Sequence, residues 1–235
     1  MRNVLPIVAA IVAFSVPPAR AARPMITDDA RIVDAKACQV ESWVRSNRES
    51  REFWALPACN PTGDAELTFG GARTRFEGDG SAATDIQMQA KMLLRPLETN
   101  GWGIGIAVGA VRHPNVDGGD HFPGDVYSYL PASFSFADDK VVAHANLGAL
   151  HRKVDGKNFM TWGLAAETLL NPRVYLITET FGQQKGVPFL QVGLRIWVIP
   201  NHVQVDATYG NRFGSATDER WFSIGFRLLS SPFLP

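Results

Sequence analysis

Residues 187–211 read VPFLQVGLRIWVIPNHVQVDATYGN, and this stretch decides the fold. From Pro188 every second residue is apolar: Leu190, Val192, Leu194, Ile196 and Val198. Gln191, Gly193 and Arg195 stand between them. After the turn Pro200-Asn201 the alternation resumes, with Val203, Val205, Ala207 and Tyr209 set against His202, Gln204, Asp206 and Thr208. Side chains on a strand point alternately to two faces, so each stretch carries one apolar and one polar face. A soluble sandwich shows the same alternation, and the rest of the chain must decide whether protein or lipid covers the apolar face.

Segments of strand character recur over 37–46, 51–59, 64–75, 84–95, 101–113, 125–137, 141–152, 158–170, 173–182, 187–199, 202–210 and 219–230. They form an even-numbered set, as bacterial membrane barrels require. In the fourth, Ile86, Met88, Ala90, Met92 and Leu94 oppose Asp85, Gln87, Gln89 and Lys91. In the last, Phe222, Ile224, Phe226 and Leu228 oppose Ser223, Gly225 and Arg227. Pro57 and Pro131 interrupt the second and sixth, where a bulge or a strand end is expected. The even connections are tight, as at Asn171-Pro172 and Pro200-Asn201, whereas the odd ones are mostly longer, as at 113–124 and 211–218. Short turns at one end and long loops at the other mark an outer-membrane barrel. A ten-residue strand tilted by about 45° covers ~23 Å of hydrocarbon, enough to span once. The expected fold is all-β, a single antiparallel transmembrane barrel of about twelve strands in an up-and-down meander over residues 37–235. Trp102, Trp162, Trp221 and Phe222 are expected in its aromatic girdles.

The chain has 235 residues with 23 Lys+Arg and 23 Asp+Glu, so it offers no basic face to nucleic acid. Arg2, the apolar run Val4 to Val16 and Ala19-Arg20-Ala21 read as a signal peptide over 1–21, implying export in a Gram-negative cell. Residues 22–36 then form a periplasmic N-terminal segment. No later apolar run is long enough for a membrane helix, so a membrane-embedded form must be a closed barrel. Cys38 and Cys59 both lie in the exported part, where pairing is favoured. A hairpin turning at Asn47-Arg48-Glu49 places Cys38 opposite Cys59, Trp43 opposite Trp54, and Arg45 opposite Glu52.

With the apolar rows outward, the inner rows hold Glu41, Arg45, Glu66, Asp85, Lys91, Glu167, Glu179, Arg195, Asp206 and Arg227. Gln87, Gln89, His144, Asn146, Gln191 and Gln204 accompany them. Such a lining suits either a water-filled or gated pore, or ion pairs that fill a narrow barrel. The expected solute pathway is Asp85, Gln87, Lys91, Glu167, Glu179, Arg195, Asp206 and Arg227. Gly103, Gly105, Ala107 and Gly109 leave one wall bare, with room for open space or a docked N-terminal segment. An acyl hydrolase needs a serine, a histidine base and an orienting group. No histidine precedes a serine at strand spacing, although a triad drawn from separate strands stays open. No metal or cofactor is expected. The oxygen-bearing loop Asp117, Gly118, Gly119, Asp120 and His121 with Asp125 lacks EF-hand spacing for Ca²⁺.

Arg23-Pro24-Met25-Ile26-Thr27-Asp28-Asp29-Ala30, followed by Gln39-Val40-Glu41, resembles the opening of outer-membrane transporters of the meta-pathway phenol-degradation type. The resemblance implies a barrel in the outer membrane that passes small, often aromatic or hydrophobic, solutes. Outer-membrane lipids and the barrel-assembly machinery would be its partners, the latter reading a C-terminal aromatic such as Phe233. Two other readings stay open: a closed barrel with a structural or adhesion role, and an outer-leaflet acyl hydrolase.

Overall fold

The computed structural model describes residues 24–78, 80–115, 123–214 and 219–235. Within them the chain forms β1 (Cys38–Asn47), β2 (Ser50–Cys59), β3 (Ala65–Phe76), β4 (Ala82–Arg95), β5 (Trp102–Arg112) and β6 (Asp125–Phe136). They are followed by β7 (Val141–Arg152), β8 (Lys157–Asn171), β9 (Val174–Gln183), β10 (Phe189–Ile199), β11 (Val203–Arg212) and β12 (Trp221–Leu229). Each strand pairs antiparallel with its sequence neighbours, and β1 pairs with β12 to close the barrel. The expected leader and the Asp117–His121 loop lie outside the described residues.

The side chains are distributed inside out relative to a soluble protein. Leu164, Leu194, Val192, Phe226 and Ile224 stand exposed on the outer face, whereas Arg195, Glu167, Gln204 and His144 are fully buried inside. The parity read from the sequence therefore holds in β4, β10, β11 and β12, and lipid is the solvent that suits it. The expected hairpin register also holds: Cys38 and Cys59 are partners, as are Trp43 and Trp54, and Arg45 and Glu52. The cysteines form a disulfide with Cα atoms 4.0 Å apart. Asn47 sets the turn, its side-chain carbonyl accepting the backbone N–H of Glu49 and Ser50.

Three expectations need correction. Trp221 is buried in the lumen and belongs to no girdle, because it shares the inner row of Ser223 and Arg227; Trp102 and Phe222 do face outward. Arg45 and Glu52 are register partners without forming an ion pair, since Glu52 accepts the indole N–H of Trp54 instead. The sorting of connections by length is partial. The longest, 113–124 and 213–220, are at one end, but the β1–β2 turn at that end is as tight as any at the other. The prolines act locally: the β2–β3 ladder skips Leu56 and Pro57, and the β5–β6 ladder skips Leu130 and Pro131.

The disulfide ties the first hairpin, while ring closure rests on the β1–β12 ladder. The double variant Cys38→Ser, Cys59→Ser should therefore keep the folded, heat-modifiable form on a gel. It should lose about 3 kcal/mol in a urea titration, the chain-entropy value for a loop of this length. Loss of the heat-modifiable form altogether would show that the bridge is needed for closure.

Candidate functional site

Residues 24–37 run through the inside of the barrel as an irregular segment without strand pairing. Ala30, Val33, Ala37, Thr27 and Asp29 are almost wholly buried there. The segment leaves the short-turn end at Lys36, where its backbone N–H donates to the carbonyl of Asn60 at 2.7 Å. It is held mainly by polar groups of the inner rows. Glu179 on β9 accepts the N–H of Ile26 (3.0 Å) and of Thr27 (2.9 Å). Lys91 on β4 donates to Asp28 (2.8 Å) and Asp29 (3.1 Å), and the Tyr129 hydroxyl donates to Asp28 at 2.7 Å. Ser133 accepts the N–H of Ala30 at 2.8 Å, and Glu66 that of Val33 at 2.9 Å. Asn146 presents its side-chain amide to the backbone of Asp28. Gly163 gives the segment room: a Cβ there would lie 2.4 Å from the Thr27 hydroxyl oxygen.

Beneath the segment lies a sealed ionic cluster. Arg195 donates to one Glu167 oxygen at 2.8 Å, and the other lies 3.2 Å from His144 Nε2. His144 Nδ1 lies 2.8 Å from the Ser133 hydroxyl. This is a serine–histidine–carboxylate arrangement drawn from three strands, the case the sequence left open. The serine oxygen accepts the Ala30 N–H, and none of the three residues lines the lumen cavity above and beside the segment. A nucleophile must meet substrate, and in this arrangement the N-terminal segment covers the serine oxygen.

The segment occupies only part of the lumen. A cavity of about 860 Å³ opens above residues 24–29 and continues beside them along β12, β1, β2 and β3 down to Gln39, Ala58 and Glu66. Its walls combine polar and charged side chains with groups of aromatic rings. Trp43 and Trp54 stack in parallel with ring centres 5.3 Å apart. Phe181, Phe189 and Trp221 form a second group, with centres 5.4 to 6.3 Å apart. Tyr127 and Tyr129 stack across the barrel, tied to Gln87 and Gln89. At the cavity floor Gln39 joins Glu66 to Arg227 through its side-chain amide, and Arg227 lies 3.6 Å from Glu41.

The eight pathway residues expected from the sequence thus separate. Gln87, Lys91 and Arg227 line the cavity. Glu167 and Arg195 are sealed in the ionic cluster, Glu179 holds the N-terminal segment, and Asp206 is buried on β11 opposite Arg195. Asp85 stands at the rim, 2.6 Å from His113 Nδ1, with Asp125 on the other side of that ring at 3.6 Å. No group of residues fit to hold a metal ion occurs among the described residues. The cavity aromatics were not among the expected site residues, although parity could have found them: Trp43 shares a row with Glu41 and Arg45, and Trp54 with Glu52.

The chain belongs to the family described as Uncharacterised conserved protein UCP029691, whose model matches residues 9–229. No curated protein matches it in sequence. Among solved structures it is similar to the KdgM porin, with a TM-score of 0.62 at 7% identity over 81% of this chain and 98% of that one. It is similar to the COG4313 outer membrane channel from Pseudomonas putida F1, with a TM-score of 0.59 at 10% identity over 86% and 98%. The NanC porin follows at 0.56, with 11% identity over 81% and 98%. At these identities the likeness establishes the fold.

Removing one partner from a sealed ion pair leaves an uncompensated charge. Arg195→Ala should therefore lower stability by about 3–5 kcal/mol in a denaturant titration. A loss below about 1 kcal/mol, the value for solvated pairs, would show that water reaches Glu167 and that the lower lumen is open.

Proposed function

We propose that this protein is an outer-membrane channel for small solutes, in which residues 24–37 form a gate inside the barrel. The carrying observation is the cavity itself, which runs beside the segment from the wide end to the polar floor at Glu66, Gln39 and Arg227. The apolar outer rows suit a lipid bilayer, and the leader read at 1–21 suits export to the outer membrane. The structural neighbours described as porins and an outer membrane channel support the same reading. The aromatic walls favour aromatic or amphipathic solutes, in keeping with the resemblance of residues 23–41 to meta-pathway transporters.

The gate can move because of how it is held. Its grip is polar, made of charged groups that accept or donate to backbone and carboxylate partners. Each such bond contributes about 1.5–3 kcal/mol net, because water offers the same groups nearly equivalent partners. A segment anchored by many large apolar side chains would lose far more on hydration; here Pro24 and Val33 are buried, Met25 and Ile32 are half-buried, and Ile26 is exposed. The sealed cluster beneath residue 30 favours a second reading, a permanently closed barrel with a structural role.

Two variants separate these readings in planar bilayers. Deleting residues 24–33 should raise single-channel conductance over the wild type. The pair Thr27→Cys, Gly163→Cys should lower it when oxidised, because the added Cβ would lie 3.2 Å from that of residue 27, close to disulfide range. Absence of current and of solute flux from both the wild type and the deletion variant would establish the closed barrel.

A further inference from the structure

The wide part of the cavity holds a cation that makes no hydrogen bond or close ion pair with the carboxylate its register sets opposite it. Arg45 stands opposite Glu52, but Glu52 accepts the Trp54 indole N–H at 2.9 Å. The guanidinium lies instead 4.3 Å over the Trp221 ring, and its Nε is buried with no hydrogen-bond partner. Trp221 is fixed from the other side, donating its indole N–H to Gln191 at 3.0 Å. The neighbouring Arg212 differs, for it lies over Phe189 and pairs with Glu219 at 2.7 Å. Arg31 also lines the cavity with both Nη atoms buried and without a hydrogen-bond partner, but Arg45 is the cation that stands among the aromatic rings, with its Nε open to an acceptor from outside the chain.

We infer that the cavity around Arg45 is a binding site for a small aromatic carboxylate. The inference rests on the channel reading, in which this cavity is the solute path, and deepens it by giving the solute a charge and a ring. A planar guanidinium prefers a planar two-oxygen acceptor, and a carboxylate matches it in bidentate fashion. Packed against an indole, away from bulk water, such a contact is stronger than at a surface. A neutral alcohol offers the buried Nε one uncharged acceptor, a weaker partner than a charged two-oxygen carboxylate. The ring requirement comes from the walls: Trp43 and Trp54 on one side and the Phe181, Phe189 and Trp221 group on the other offer flat apolar surface next to the cation. An aromatic ring gains from offset or edge contacts with such surfaces, and a short aliphatic acid does not.

The test uses the full-length protein in detergent, titrated with benzoate, benzyl alcohol and acetate. Binding is followed by tryptophan fluorescence and by calorimetry. Benzoate should bind at least about tenfold more tightly than either of the others. Arg45→Gln should bring the benzoate-to-benzyl-alcohol affinity ratio close to one, with heat-modifiable migration unchanged. Equal affinity for benzoate and benzyl alcohol in the wild type overturns the inference without recourse to any variant, as does a margin that survives Arg45→Gln. Because binding is read without a bilayer, benzoate binding by a barrel that carries no current sinks the channel and leaves the site standing. A conducting barrel indifferent to benzoate does the reverse.

Discussion

Closure of β1 onto β12 leaves the sheet with no free edge, and every inward side chain must then share one confined volume with all the others. The ladder satisfies the backbone of the strands without help from either face. The outer rows are thereby free to be apolar throughout, and polar residues accumulate inside. Confinement then imposes its own condition: buried donors and acceptors must find partners, since an unpaired one costs about 1–3 kcal/mol. The inner rows meet this condition only in part by pairing with each other. Arg195 with Glu167 and His144 is self-sufficient, whereas Lys91 and Glu179 are completed by Asp28, Asp29 and the N–H groups of residues 26 and 27. The N-terminal segment and the inner rows are mutually required parts of one network.

That network is lopsided, and its asymmetry matters for function. Strands β3 to β10 supply the groups that hold the segment, so polar chemistry is dense on that side. Along β12, β1 and β2 the lumen stays open, and Trp221, Trp43 and Trp54 face it there, met by Phe181 and Phe189 from β9 and β10. Small residues permit the crowding: a Cβ at Gly210 would collide with the Trp221 ring at 2.1 Å, and one at Gly109 with the Tyr127 ring at 2.4 Å. The glycine wall of β5 is thus covered by a neighbouring tyrosine and leaves no empty space at that height. The same logic explains the fate of Ser133, His144 and Glu167. Their geometry resembles a nucleophilic relay, but the segment covers the one group that would have to reach a substrate.

Much of the barrel was legible in the sequence because strand periodicity has only two outcomes. Once Leu194 is outward, Arg195 is inward, and the assignment propagates along a ladder. The alternation places every strand within a residue or two of its observed bounds, and three coincident pairings set the register of the 38–59 hairpin. Trp221 follows the same rule: it shares the parity of Ser223 and Arg227 and lies inside, where a girdle position was expected.

Tertiary structure alone decided which inner residues touch solvent, because parity gives direction and carries no information about depth or distance across the lumen. Arg45 and Arg195 are equivalent on the pattern, both inward and both charged. One stacks on an indole beside an open cavity, and the other is sealed in an ion cluster. Likewise nothing in residues 24–37, which lack any strand or helix period, announces that they lie inside the barrel. Their position comes from Lys91, Glu179, Ser133 and Glu66, residues 33 to 153 positions away in the chain, brought to one axis by ring closure. The sequence alone determined the sheet, its facing and its first hairpin, which depend on local alternation. The occupied lumen and the aromatic cavity depend on distances between opposite walls, and only the closed barrel sets those.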